Sequence, residues 1–314
     1  MKFNILNSTR VDSPFLSLTL LITGIIILSL QDALIKLIAL ETSFWQLQLI
    51  RSFFNLIFLL LLASVIKKKY LLVPSNWKPV FLRATFMVCC MFCFFAGAPI
   101  LSISQMAAGL YTFPLFVTIL AVIVSKEKIG FWRVLALTIG AFGAALVLEP
   151  WGNDFKIMQI LPVLAGFFYA CNIIMIRKFC RNESPMSLTF AVGIMFFISG
   201  LLGIVLLESF INVNQHDIDT QFISNGWPKL TFFIFLFAIF CSILNVIGNL
   251  SLSKAYQNAD SSWLAPIDYS YLLFACFWSK VIFNVWPSTT NFIGILLIAS
   301  AGILTAYREK IKKR

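Results

Sequence analysis

Apolar residues run along this chain in long blocks, near 15–38, 44–66, 80–99, 101–124, 131–148, 158–178, 188–208, 230–253, 260–283 and 289–307. About 20 mostly apolar residues cross a bilayer core, so the pattern predicts ten membrane-spanning helices, the fifth of them short. The few polar positions inside the blocks are therefore informative. The most unusual is Ala265-Pro266-Ile267-Asp268-Tyr269. A carboxylate at membrane depth is costly and normally faces a protein interior or a watery cavity. Pro266 lacks an N–H, frees the carbonyl of Ser262 and kinks its helix. Irregular backbone at depth survives only where protein or water satisfies it. Carboxylate and kink together predict a cavity wall.

Other blocks carry polar stripes. Ser29, Asp32 and Lys36 share one face of the first helix at spacings of three and four. Asp32 and Lys36 either neutralise each other as a structural pair or face a substrate. In the second helix Arg51 follows Trp45 and Gln48, with Asn55 one turn on. A guanidinium there can clamp a carboxylate through two bonds or snorkel to headgroups. Tyr111 precedes Pro114, which frees the carbonyl of Leu110 and marks a hinge matching Pro266. Around Asp268 stand Trp263 and Tyr271, and the sixth helix places Tyr169 and Asn172 where the first has its stripe. The candidate substrate-binding set is thus Asp32, Lys36, Trp45, Arg51, Tyr111, Asn172, Trp263, Asp268 and Tyr271, with Pro114 and Pro266 as hinges. Against each aromatic stands packing or lipid contact, since the chain has 33 Phe.

Composition makes the membrane reading firm. The 314 residues are 60% hydrophobic and 12% charged, with mean hydropathy +0.92. That is more apolar material than a soluble core can bury. The net charge of +11 suggests nucleic acid only if it lies on a soluble face. Here it lies between blocks: Lys67, Lys68, Lys69, Lys78 and Arg83; Lys126, Lys128 and Arg133; Arg177, Lys178 and Arg181; Lys254; and the tail from Arg308 to Arg314. With Lys2 and Arg10 these occupy one side by the positive-inside rule, leaving Lys156, Lys229 and Lys280 near the other. Both termini are expected in the cytoplasm, and the first block is expected to be an uncleaved span. The three lysines from Lys67 fix topology or attract anionic lipid.

Catalytic and metal motifs are missing. Of seven cysteines only Cys90 and Cys93 have C-x-x-C spacing, with no second pair nearby, and the sole histidine, His216, sits beside Asp217 in a polar segment. Neither H-E-x-x-H, G-x-S-x-G nor a phosphate-binding loop occurs. The expectation is no enzyme, no cofactor, no metal and no ATP-driven pump.

A weak internal repeat completes the picture. A shift of 152 places Gln105 on Gln257, Ala107 on Ala259, Pro114 on Pro266, Leu120 on Leu272 and Lys128 on Lys280. Two copies of five helices, an odd number, would be inverted relative to each other, as in transporters with a midplane site. The predicted organisation is a cytoplasmic segment over 1–14, a first repeat over 15–148, an outer linker over 149–157, a second repeat over 158–307 and a basic cytoplasmic tail over 308–314.

The order of Asp32-Ala-Leu-Ile-Lys36, Trp45 with Leu49-Ile50-Arg51, Pro114-Leu115-Phe116 and Ala265-Pro266-Ile267-Asp268-Tyr269 resembles the EamA-type branch of the drug/metabolite transporter superfamily. The resemblance implies an all-α membrane protein of two inverted five-helix EamA repeats around a central cavity, in a bacterial inner membrane. It implies a secondary transporter of a small organic metabolite. Charges of both signs suit an amino acid or related zwitterion, with Asp268 the candidate for a coupling proton. A subgroup with a similar ninth-helix motif imports S-adenosylmethionine, which gives a cationic alternative. A membrane scaffold or channel-like protein with structural polar pairs is the rival from another class. Asn284 stands where the family often has an acid, which leaves its part in coupling open; oligomeric state, coupling ion and direction of flux are not readable from the sequence.

Overall fold

The computed structural model describes residues 14–125, 131–149, 151, 156–180, 183–210, 220–258, 264 and 267–312. Trp263, Pro266 and His216 lie outside the described residues. Among the described residues every regular element is helical: α1 (Pro14–Leu37), α2 (Phe44–Val65), α3 (Trp77–Ala96), α4 (Ile103–Leu110), α5 (Phe113–Ser125), α6 (Phe131–Leu148), α7 (Leu161–Phe179), α8 (Pro185–Phe210), the single turn α9 (Gln221–Ser224), α10 (Phe232–Asn258), α11 (Ser270–Phe283) and α12 (Thr289–Lys312). Among them, seven segments are long and apolar enough to cross a membrane, and three shorter apolar helices fall in α6, α11 and α12. The surface is greasy to match: Leu201, Leu202, Val205 and Leu206 of α8 are all exposed, as are Phe232, Phe233 and Leu236 of α10. A helix apolar on every side has no water-facing stripe to offer. This is a multi-pass membrane protein.

The neighbour pattern has twofold character. α6 packs on α12 and α2 on α8; α1 packs on α10 as α3 packs on α7; α11 meets α1 as α4 and α5 meet α7; α10 meets α2 as α3 meets α8. Exchanging α1 with α7, α2 with α8, α3 with α10, α4–α5 with α11 and α6 with α12 leaves these pairings unchanged.

Small residues set the closest crossings. A Cβ on Gly143 would stand 2.8 Å from the Gly294 carbonyl, and one on Gly294 would stand 2.6 Å from that of Gly143, so α6 and α12 touch backbone to backbone. Gly24 and Gly248 do the same for α1 and α10. Within lipid, such close approach is what holds helices together. Gly140, one turn before Gly143, lies instead against Leu115 of α5.

One local expectation is corrected. Instead of a single kinked helix over 101–124, the structure breaks the chain at Tyr111 and Thr112, so Pro114 is the second residue of α5. In a first turn the missing N–H costs nothing, so Pro114 starts a helix here and does not kink one. The Thr112 hydroxyl donates to the Gly109 carbonyl at 2.6 Å and its amide to the same oxygen at 3.2 Å. The Gly109 and Leu110 carbonyls lie against Gly166 of α7, where a Cβ would meet them at 3.1 and 2.9 Å.

Candidate functional site

Helices α1, α2, α3, α4, α7, α8, α10 and α11, with the break after α4, surround one cavity of about 200 Å³. Its polar lining comes from elements far apart in sequence. α1 contributes Gln31 and Asp32, α2 Gln48, Arg51, Ser52 and Asn55, α3 Arg83, and α10 Asn245 and Asn249. The α4–α5 break supplies Tyr111, Asp268 comes just before α11, and Tyr271 lies in the first turn of α11. Apolar walls come from Ile25, Leu28, Met87, Met91, Phe95 and Phe196.

Asp32 is gripped from both sides. Tyr271 donates its hydroxyl to Oδ2 at 2.5 Å and Gln31 donates Nε2 to Oδ1 at 3.0 Å. Behind Gln31 the amides line up: Asn245 Nδ2 donates to Gln31 Oε1 at 2.8 Å and Asn55 Nδ2 donates to Asn245 Oδ1 at 3.3 Å. Asn245 and Gln31 each accept from one side and donate to the next, and the chain that Asn55 begins ends on the carboxylate. Such a connected network orients its terminal acceptor, because every member has only one arrangement that satisfies it. It ties α2, α10, α1 and α11 together at one depth.

Arg51 is buried, 6% exposed, with Nη1 3.4 Å from Gln48 Oε1 and its Nε without a partner among the described residues. The Ser242 hydroxyl bonds the Arg51 carbonyl at 3.1 Å, which fixes the depth of this turn against α10. It lies inside the bundle and does not snorkel to headgroups. Tyr111 and Tyr271 stack with centroids 5.2 Å apart, and Tyr111 donates its hydroxyl to the Asp268 backbone carbonyl at 3.1 Å. Phe113 then meets Tyr111 edge-on, and Tyr169 meets Phe113. Tyr271, Tyr111, Phe113 and Tyr169 thus form a continuous run of aromatic contacts along the void.

Asp32, Arg51, Tyr111, Asp268 and Tyr271 therefore meet in one cavity, while three other candidates sit elsewhere. The expected pairing of Asp32 with Lys36 does not form. Lys36 Nζ instead donates to the Ala98 carbonyl at 2.5 Å and lies 5.4 Å from the centre of the Phe283 ring. The ammonium takes the Ala98 carbonyl just after the end of α3, and Asp32 is already supplied by neutral donors. Trp45 donates its indole N–H to the Ile223 carbonyl at 2.8 Å and stacks on Phe92. Gly203 gives it room, since a Cβ there would overlap the indole. Asn172 is buried on α7 away from the cavity lining, its Oδ1 without a partner among the described residues.

The end of the bundle carrying the α1–α2 turn is tightly tied. Ser43 donates to the Gly226 carbonyl at 2.8 Å, Gln46 to that of Pro228 at 2.8 Å, and the Trp227 amide to Glu208 Oε1 at 2.9 Å. Phe44, Phe92 and Phe222 pack edge-on just beneath these bonds. Lys36 on the Ala98 carbonyl adds a further tie at that end.

Sequence reading missed Gln31, Asn245 and Arg83. Gln31 and Asn245 are ordinary polar residues in apolar blocks, and only their meeting across α1 and α10 marks them. Arg83 was grouped with loop cations because it lies near the start of α3. Its position four residues before Met87 and eight before Met91 was the available signal, for one helix face carries all three into the cavity.

A family model described as EamA-like transporter family matches residues 15–149 and 156–307. The chain is 28% identical over 211 residues to a riboflavin transporter of Vibrio cholerae, covering 67% of this chain and just under two thirds, 65%, of that protein. It is 24% identical over 282 residues to an S-adenosylmethionine uptake transporter of Rickettsia prowazekii, covering 90% of this chain and 89% of that protein. A crystal structure with 14% identity superposes at a TM-score of 0.58 over 94% of this chain and 99% of the other, a likeness of fold alone. With both halves matched, the chain belongs to the EamA-like transporter family.

Proposed function

We propose that this protein is a secondary transporter that carries a small organic metabolite across a bacterial inner membrane by alternating access. One observation carries the reading: residues of the first matched segment, Asp32, Arg51 and Tyr111, share a single cavity with Asp268, Asn245 and Tyr271 of the second. Two halves that build one site between them can rock about it, exposing it to each side in turn. The preferred solute is an amino acid or related zwitterion, since carboxylates and guanidiniums line the same void. The domain boundaries, ten crossings, inverted repeats and cytoplasmic termini belong to this reading. Their support is the twofold neighbour pattern, the seven long and three shorter apolar helices, and the placement of the basic residues.

The candidate site is then Asp32, Arg51, Tyr111, Asp268 and Tyr271, with Asp268 the candidate for a coupling proton and the Tyr111–Thr112 break the hinge of the first half. Lys36 and Trp45 act in closure of the α1–α2 end. A second reading, uptake of S-adenosylmethionine or a similar cationic metabolite, is favoured by the relatives of that name, which align over up to 90% of the chain. Purified protein in proteoliposomes separates the possibilities. Saturable uptake with counterflow supports a carrier, and an unsaturable ion current or no flux of any solute overturns it. Thermal-shift screening sorts the two substrate classes, because a ligand that binds only the folded state raises its melting temperature. If S-adenosylmethionine stabilises the protein and neutral amino acids do not, the second reading replaces the first.

A further inference from the structure

We propose that Arg83 is a specificity-determining residue that, with Arg51, recognises an acidic group on the carried solute at two depths of the cavity. The proposal rests on the transporter reading above and names the chemistry that its site selects.

Both guanidiniums line the void, and both keep a buried Nε with no partner among the described residues. Arg83 Nη1 donates to the Leu188 carbonyl in the first turn of α8 at 3.1 Å, which anchors one edge of the fork. An arginine has five donors in a rigid plane, and a buried donor left unpaired costs about 1–3 kcal/mol, more for a charged group. Each guanidinium is thus only partly satisfied by the protein where it lines the void, which favours a solute that brings an acceptor to it. A carboxylate or phosphate is the planar or multi-oxygen acceptor that matches a guanidinium edge.

The two stations lie at different heights. α2 and α8 run antiparallel in a register set by Gly200 against Leu49 and Gly193 against Leu56. Continuing that register puts Leu188, and hence Arg83, about ten residues beyond Arg51, roughly 15 Å along the helix axis. Arg51 sits beside the Asp32 and Tyr271 corner, near the tied end of the bundle. Arg83 sits toward the opposite end, where Thr189 and Leu252 also line the void. Between them Met87 and Met91 form an apolar, compliant strip on α3. The acidic group of the solute binds one guanidinium while the cavity is closed at the α1–α2 end, and the other is the station it meets on the way in or out.

The test compares twin solutes that differ only in the acidic group: tryptophan with tryptophanamide, S-adenosylmethionine with its decarboxylated form, and riboflavin 5′-phosphate with riboflavin. In wild-type proteoliposomes and in thermal shift, the acid-bearing twin of at least one pair is expected to bind roughly 10- to 100-fold more tightly, the range a charge-assisted bond supplies. Arg83→Gln is expected to bring the ratio of affinities for the acid-bearing and neutral twins close to one, and Arg83→Lys to restore part of it. Arg51→Gln gives a second, independent variant should Arg83→Gln fail to fold. Equal affinity for both members of a pair that is saturably transported overturns the inference and leaves the carrier standing. Loss of the acid preference only in lipid with anionic headgroups, with none in neutral lipid, assigns Arg83 to a lipid phosphate and also overturns it. No binding or uptake of any of the six compounds overturns this inference and the zwitterion and S-adenosylmethionine readings together.

Discussion

Tyr271 donates its hydroxyl to Asp32 Oδ2 at 2.5 Å, across the seam between α11 and α1. The bond joins one residue from each matched half and is made by the pair that also lines the cavity. Any motion that separates α1 from α11 must break it, so it is expected to report the state of the carrier. Tyr271→Phe removes the donor and leaves the carboxylate with Gln31 alone. A hydrogen bond to a charged group contributes about 1.5–3 kcal/mol, so a fall in uptake of roughly 10- to 100-fold is expected, with the stack on Tyr111 retained. Uptake kinetics and the melting temperature of the purified variant check this; wild-type kinetics would mean that the contact carries nothing.

Much of this site was legible in the sequence. Asp32, Arg51, Asp268 and Tyr271 stand out because an apolar block has no other reason to hold a charge or a hydroxyl at that depth. What the linear pattern could not supply was pairing. Asp32 and Lys36 are one turn apart on a helix, and spacing alone makes them partners. The carbonyl of Ala98, 62 positions away, competes for the ammonium and wins. Likewise Pro114 reads as a kink until the break at Tyr111 and Thr112 shows it opening a new helix. Gln31 and Asn245 escaped notice because their role exists only in the chain they form together.

That amide chain yields a second expectation. Asn245→Leu removes the residue that links Asn55 to Gln31, and leaves Gln31 Oε1 buried and unpaired at a cost of about 1–3 kcal/mol. Uptake is expected to fall because Asp32 loses its fixed orientation, while Asn245→Gln, which keeps an amide, recovers only part. A variant that transports normally despite the lost amide would show that Asp32 is held by Tyr271 alone.

Asp268 offers a third. It lines the cavity, and its backbone carbonyl accepts from Tyr111. Asp268→Asn keeps the shape and that backbone bond but removes a negative charge. Transport is expected to be abolished with expression, membrane insertion and melting temperature unchanged. Retained flux in this variant would reduce the carboxylate to a structural role.

The α6–α12 crossing is a test of fold. Gly143→Ala places a methyl 2.8 Å from the Gly294 carbonyl and 2.9 Å from Leu297 Cβ, where neither backbone can yield without moving a helix. Overpacking of this kind costs roughly 1–3 kcal/mol. The detergent-solubilised variant is expected to melt several degrees lower while keeping the cavity residues untouched, so uptake per folded molecule stays near wild type. Gly140→Ala meets only the flexible end of Leu115 and is expected to cost less.

Asn284 gives the last prediction, and it separates a structural from a coupling role. The residue ends α11 in the left-handed region, with φ 55°, and its Oδ1 accepts from Lys280 Nζ at 2.8 Å. Helices commonly close on a residue of this conformation, and asparagine tolerates it better than most residues with a side chain. Helix termination therefore explains Asn284 in full. Asn284→Asp keeps both the tolerance for positive φ and an acceptor for Lys280, so uptake, its dependence on an imposed pH gradient and stability are expected to match wild type. Asn284→Val is expected to lower the melting temperature, because a β-branched residue at positive φ is strained. A changed pH-gradient dependence in Asn284→Asp, with stability intact, would instead place this position in proton coupling.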